Sequence, residues 1–475
     1  MASDPHRWRI LAVVATAFFM TILDVSIVNV ALPSIGKDLH FSQENLQWVI
    51  TAYAIAFGGF LLLGGRAADL LGRRRVFFVG VAVFTLASLV CGLSQSEGML
   101  IAARAVQGLG AAIISPAALS IVMTSFEEGA ERNKALGIWG ALGGSGAAVG
   151  VLAGGVLTKY LGWEWIFFVN VPVGALVLAL TPGIVPESRR EGAERQYDAL
   201  GAVLVSGGLA LLVYTISKAP DVGWGTTRTI FLLVASGALL VAFLVNERRA
   251  HDPLMPFSIF RVRTLAGANI VGWLLGAVLF ANFFLLTLYV QDVLGYSALK
   301  TGVTFVATAG TAVVSSGVAQ ALTTRFGPKP IIVIGLALMT GGMIFYSQIP
   351  VNGSYASDLL PGYVMVGVGI AFAYVPVSIA ALAGVGEREA GLASGLINTS
   401  QQIGGAVGVA VASTVFTSRF KTLTHEGKPI PTALTHGYGA AFWALAVFGV
   451  LAIVAALTLI RREELAEAPA PAPLA

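Results

Sequence analysis

Long apolar runs separated by short polar breaks dominate this chain. A helix needs about 20 predominantly apolar residues to cross the hydrocarbon core of a bilayer. Runs of that kind fall at residues 10–32, 46–63, 76–93, 99–122, 135–157, 165–185, 198–217, 229–246, 265–288, 302–322, 331–349, 359–383, 393–415 and 438–460. The pattern therefore predicts fourteen membrane-spanning helices. The first run follows Arg7 and Arg9, as a signal peptide would, but it is too long for that role and further spans come at once. It is expected to be retained as the first span.

The charge between the runs orients them. With fourteen spans and the N-terminus in the cytoplasm, twenty Lys and Arg residues fall on the cytoplasmic side, eight fall outside and only Arg104 lies within a span. Basic residues favour cytoplasmic loops, so both termini are expected there. The segments 186–197 and 247–262 read as charged cytoplasmic linkers. The expected organisation is a six-helix bundle over 1–185, a linker over 186–262 holding two inserted spans, a second six-helix bundle over 263–460, and a disordered Ala/Pro-rich tail over 461–475. Arg325-Phe326-Gly327-Pro328-Lys329 echoes Gly72-Arg73-Arg74-Arg75, a weak internal similarity that suits a repeat-built transporter.

Composition sharpens the class. Hydrophobic residues make up 56% of the 475, charged residues 11%, and the mean hydropathy is +0.82. Soluble domains usually carry about a quarter charged residues. The net charge of +4 is spread in short groups between apolar runs, not clustered on a face that would bind nucleic acid. The lone Cys91 excludes an intrachain disulfide, and the five histidines never pair at ligand spacing, so no metal site is expected. No convergent nucleophile and base mark an enzyme, no catalytic residue is assigned, and no cofactor is expected beyond the proton as coupling ion.

Two charges remain inside the spans, Asp24 and Arg104. Each costs roughly 2.5–3.5 kcal/mol near the bilayer centre, so each marks a function or a partner. Asp24 lies about 12 Å and Arg104 about 8 Å below the same outer surface, counting 1.5 Å per residue from the expected helix ends. A contact between them is expected. Its plain reading is a lock between helices 1 and 4; its functional reading is a proton site, because a carboxylate beside a movable cation changes its affinity for protons.

Four motifs carry a resemblance. Helix 1 reads Leu23-Asp24-Val25-Ser26-Ile27-Val28-Asn29-Val30-Ala31-Leu32-Pro33; the loop between helices 2 and 3 reads Gly65-Arg66-Ala67-Ala68-Asp69-Leu70-Leu71-Gly72-Arg73-Arg74-Arg75. Helix 4 reads Leu100-Ile101-Ala102-Ala103-Arg104-Ala105-Val106-Gln107-Gly108-Leu109-Gly110, closed by Pro116; helix 5 is glycine-rich at Gly146, Gly150, Gly154 and Gly155. Together they resemble the fourteen-helix drug/proton antiporters of the major facilitator superfamily, over residues 10–460. Trp163 to Gly174, including Asn170, is similar to a further hallmark of that branch. The resemblance implies an all-α integral membrane fold of two six-helix bundles plus two inserted helices. It also implies proton transfer at Arg104 and a cytoplasmic gate built on Gly65, Asp69, Gly72, Arg73 and Arg74. The family's antiporter motif has a proline after the glycine corresponding to Gly150; here Val151 stands there.

The function expected is secondary active export of small lipophilic neutral or cationic compounds in exchange for protons. The other reading is a narrow exporter of an endogenous metabolite or a self-made antibiotic. Tyr53, Trp139, Asn269, Trp273, Asn282, Phe284, Tyr374 and Gln401 are candidate cavity residues, since such cavities combine aromatic walls with a few polar anchors. Asp292, at the outer edge of helix 9, is a candidate second acidic site. The expected partners are a small-molecule substrate and the lipid bilayer, with no nucleic acid. The protein is expected to act as a monomer in a bacterial inner membrane.

Overall fold

The computed structural model describes residues 6–126, 130–188, 198–250, 253, 263–382 and 390–460. The tail 461–475 and the linker stretches 189–197 and 254–262 lie outside the described residues. Among those described there are fourteen long helices and no strand. They are α1 (Arg7–Asp38), α2 (Trp48–Leu71), α3 (Arg73–Gly92), α4 (Glu97–Ser125), α5 (Ala130–Tyr160), α6 (Asn170–Ile184), α7 (Ala199–Val222) and α8 (Thr227–Arg249). There follow α9 (Arg263–Leu288), α10 (Ala298–Phe326), α11 (Pro328–Tyr346), α12 (Leu360–Leu382), α13 (Ala390–His425) and α14 (Ile430–Leu459). Backbone groups in hydrocarbon must be satisfied within their own segment, and helices do this.

Twelve of the helical stretches are long and apolar enough to cross a membrane. In α5 and α7 the apolar described stretches, Val149–Tyr160 and Leu200–Ile216, are shorter. Several helices extend past the apolar runs. Thus α2 and α3 are separated by Gly72 alone, so the expected loop is a one-residue break and Arg73, Arg74 and Arg75 form the first turn of α3. Gly72 has φ +109°, a value side-chain-bearing residues rarely adopt. Likewise α8 runs on through Glu247, Arg248 and Arg249, residues expected in a linker. Glu247 is buried there, with its carboxylate beside Gly201 of α7.

α1 packs on α5, α2 and α3 on α4, and α6 on α3 and α1, which makes the first bundle; α9 packs on α13 and α14, and α12 on α10 and α11, which makes the second. The bundles meet along two seams, α5 against α10 and α2 against α13. The inserted pair α7 and α8 pack on each other, and α7 also touches both α2 and α13. Ala54 and Ile55 of α2, Leu209 and Val213 of α7, and Ala406, Val407 and Ala410 of α13 form one apolar cluster there.

The end of the molecule that carries Arg73–Arg75 and Arg248–Arg249 is the basic end. At the opposite end the bundles are locked together. A methyl built on Gly302 of α10 would come within 2.7 Å of the Val151 carbonyl, and one on Gly155 within 2.8 Å of the Leu299 Cα. Gln291 Nε2 also donates to the Val30 carbonyl across the bundles at 2.8 Å. Toward the basic end, Val313 and Val314 of α10 and Tyr374 and Ile379 of α12 are exposed. The bundles thus make close contact at the far end.

Candidate functional site

Small residues bring the site helices close. Gly108 of α4 faces the Tyr53 carbonyl of α2, and Gly110 faces Phe84 of α3, at separations no larger side chain would allow. On α5, Gly146 packs on Ile22, Gly150 on Ser26 and Gly154 on Ile27, all of α1. Three of the four motif glycines thus seat the helix that carries Asp24, and the fourth, Gly155, meets the other bundle. Val151 lets α5 run unbroken, and its carbonyl becomes part of the seam with α10.

The close approach places Arg104 and Asp24 in contact. Arg104 Nη1 donates to Asp24 Oδ2 at 2.5 Å. Asp24 is 0% and Arg104 1% exposed, so neither charge reaches solvent. Arg104 Nε also donates to the Val49 carbonyl at 2.9 Å, and Nη1 to Gln107 Oε1 at 2.7 Å. Its guanidinium lies 4.4 Å from the Tyr53 ring centroid, within cation–π range.

Asp24 Oδ1 accepts from Gln107 Nε2 at 2.8 Å and from Asn170 Nδ2 at 3.1 Å. Both amides reach Ser88 Oγ as well, at 3.2 and 3.0 Å, while that hydroxyl donates to the Phe167 carbonyl at 2.9 Å. Gln107 and Asn170 stand within the sequence motifs with no role expected of either, and Ser88 stands outside them. A neutral polar residue in a span is common, so only the charges stood out. The chemistry is that of a buried carboxylate held by three donors. Arg104 meanwhile keeps other partners: a carbonyl, an amide oxygen and the aromatic faces of Tyr53 and Phe167.

At the basic end, Gly65 packs against Pro116. The Arg73 amide donates to the Ser188 carbonyl at 2.9 Å, and the Arg74 amide to Glu187 Oε1 at 3.2 Å. Glu187 Oε2 lies 3.7 Å from Arg74 Nε and 3.6 Å from Arg75 Nε. Glu187, not anticipated, thus ties the α2–α3 break to the end of α6. The side chain of Asp69 lies outside the described residues.

The eight candidate cavity residues divide. Tyr53 belongs to the Arg104 contact; Asn269 donates to the Leu265 carbonyl at 2.9 Å and accepts from Ser400. Asn282, Phe284 and Gln401 are buried, Phe284 within the main apolar cluster. These five are buried in this conformation. Tyr374 is exposed, Trp139 stacks on Phe18 at 4.0 Å, and Trp273 packs edge-on to Phe448. Asp292 lies on a π-helical turn, Tyr289–Val293, and accepts from Tyr438 Oη at 3.1 Å. It borders a small cavity of about 240 Å³ with Lys37, Phe41 and Leu288.

Residues 14–409 match the Major Facilitator Superfamily. The chain is 43% identical to the puromycin resistance protein Pur8 of Streptomyces alboniger, over 98% of this chain and 93% of that one. It is 40% identical to the cephamycin export protein CmcT of Amycolatopsis lactamdurans, over 92% and 89%. It is 34% identical to the tetracenomycin C resistance and export protein of Streptomyces glaucescens, over 87% and 76%. Its fold is similar to that of a bacterial homologue of the human lysosomal transporter Spinster, crystallised inward-facing and unoccupied. That likeness has a TM-score of 0.69 at 17% identity and covers 96% of this chain and 98% of that one.

Proposed function

This chain belongs to the Major Facilitator Superfamily, and from that premise we propose that it exports small lipophilic, neutral or cationic compounds in exchange for protons. All fourteen helices span the membrane in this reading, with the basic end and both termini in the cytoplasm. The two bundles rock about the Asp24 level, exposing the path to each side of the membrane in turn. The protein acts as a monomer, with the proton as its only coupling ion.

The observation that carries the proposal is the sealed carboxylate. Asp24 spans both roles a coupling group needs: it holds a charge stabilised by charge-assisted hydrogen bonds, and its loss of charge changes what holds the helices together. Protonation of Asp24 releases Arg104 to the Val49 carbonyl, Gln107 Oε1 and the Tyr53 ring, which already surround it. Helices α1 and α4 are then free to shift relative to one another. The membrane potential contributes about 2.3 kcal/mol per charge per 100 mV, enough for one proton to drive useful export.

A narrower reading, export of one metabolite or of an antibiotic the cell makes, is favoured by the relatives named for puromycin, cephamycin and tetracenomycin C. The test is accumulation of puromycin, ethidium and Nile red in cells expressing the protein, with and without a protonophore. Broad export predicts lowered accumulation of several compounds, restored by the protonophore. Lowered accumulation of one compound alone selects the narrow reading. In Asp24→Asn, pH-driven export is expected to vanish while the protein still inserts; unchanged export would remove Asp24 from the coupling site.

A further inference from the structure

Every side-chain hydrogen bond that Asp24 makes is one it accepts. Arg104 Nη1 donates to Oδ2, while Gln107 Nε2 and Asn170 Nδ2 both donate to Oδ1. Among the described residues these are its side-chain partners, and all three are N–H groups. That arrangement suits the ionised carboxylate alone. A protonated Asp24 carries an O–H, a donor turned toward donors, and a buried donor left unpaired is costly. One of the amides can remove the conflict, because turning an amide over exchanges its donor nitrogen for its acceptor oxygen.

The two amides are not equally free to turn. Gln107 Oε1 accepts from Arg104 Nη1 at 2.7 Å, and the Cys91 thiol donates to the same oxygen at 3.6 Å. Turned over, Gln107 would set an N–H against both of these donors. Its orientation is fixed from behind. Asn170 is held differently: its Nδ2 serves Asp24 Oδ1 at 3.1 Å and Ser88 Oγ at 3.0 Å, and no described residue donates to its oxygen. Ser88 can follow a turn of that amide, moving its hydrogen from the Phe167 carbonyl to the asparagine oxygen. Asn170 is 1% exposed, so bulk solvent does not take the oxygen's place.

No other group near Asp24 competes for the task. Its titratable neighbours are Arg104 of α4, Tyr53 of α2, whose ring lies against the guanidinium, and Cys91 of α3, bonded to Gln107. The remaining helices packed on α1 are α6, which brings Asn170, and α5, α9 and α10, whose charged residues all lie near their ends.

We propose that Asn170 is the switch of the proton site: it donates to Asp24 while the carboxylate is charged and turns over to accept from it once protonated. The proposal deepens the proton-site reading above and rests on it. The proton adds at Oδ1, where one O–H bond forms and none within the protein breaks, and the pair passes from neutral to the single positive charge of Arg104. Arg104 stays on the Val49 carbonyl, Gln107 Oε1 and the two rings. An uncharged residue of α6 thereby decides how readily Asp24 takes a proton.

Infrared difference spectra of the reconstituted protein, taken between neutral and acidic suspensions, test this whatever the protein transports. A carboxyl band that is missing in Asp24→Asn marks the protonation. An asparagine side-chain band, recognised by its shift when asparagine carries carbon-13, is expected to accompany it and to be missing in Asn170→Leu. The carboxyl band without the asparagine band overturns the switch. Absence of the carboxyl band overturns the proton-site reading and the switch with it. A second measurement separates switching from packing, since leucine has the branched outline of asparagine but neither donates nor accepts. In proteoliposomes, Asn170→Leu should lose pH-driven ethidium export several-fold, while ethidium exchange at equal pH on both sides continues near the unmodified rate. Export at the unmodified rate overturns the proposal, and so does loss of export and exchange together, the mark of a merely structural role. Absence of ethidium export by the unmodified protein counts against the export reading, and the spectra still decide the switch.

Discussion

At Asp24 the energetics turn on pairing. Removing one partner of a buried ion pair leaves the other charge uncompensated and costs about 3–5 kcal/mol. Arg104→Ala should therefore destabilise strongly, and Arg104→Lys less. A lysine keeps the charge but is a point donor without a planar fork, so it cannot serve Asp24, the Val49 carbonyl and the Tyr53 ring together as Arg104 does. Arg104→Lys is expected to insert, melt only modestly below the unmodified protein and lose pH-driven export; export at the unmodified rate would mean that the fork geometry is dispensable. What the sequence disclosed at this scale was the pair alone, because two charges in so apolar a chain cannot be missed. Gln107 and Asn170 hold the same carboxylate, and Ser88 accepts from both of their amides, yet neutral polar residues are scattered through many spans and nothing in their spacing sets these apart. Glu187 was hidden for another reason: its partners Arg74 and Arg75 are more than a hundred residues away.

At the level of helices, the far-end closure depends on an absent side chain. Gly302 lies where a methyl would approach the Val151 carbonyl to 2.7 Å, nearer than such a carbon can come. Overpacking of this kind costs about 1–3 kcal/mol, and here the cost falls only on the state in which α5 and α10 touch. Gly302→Val should accordingly shift the population toward a conformation open at the far end. Spin labels at Lys159 and Lys300, exposed at that end of α5 and α10, should then move apart; an unchanged distance would show that the seam yields elsewhere. Long apolar runs made the fourteen helices legible, but not their ends. Loop and helix look alike where charged residues continue a helix past the hydrocarbon, as in Arg73–Arg75 and Glu247–Arg249. Nor could the apolar runs show rotation: Phe284 is buried in the main apolar cluster while Tyr374, equally a candidate, is exposed.

For the whole molecule, the open question of topology is whether α7 and α8 cross the membrane. If they do, the short turn between them, Gly223 to Thr226, faces the outside while Asp198 and Ala250 face the cytoplasm. Three features favour crossing. The pair is antiparallel and sealed by internal contacts, among them Ser236 Oγ to the Gly208 carbonyl at 2.9 Å. At the basic end, Asn246 Nδ2 donates to both oxygens of Asp198, at 2.8 and 2.7 Å. Away from α7, Ile230, Phe231, Val234 and Val241 of α8 are exposed, a face that water would not tolerate at this length and that acyl chains would cover. Thr226→Cys is therefore expected to react with a membrane-impermeant maleimide added to intact cells, and Ala250→Cys only after the cells are opened, with buried Cys91 silent in both. Reaction of both cysteines only in opened cells would leave the pair on the cytoplasmic surface and the chain with twelve spans.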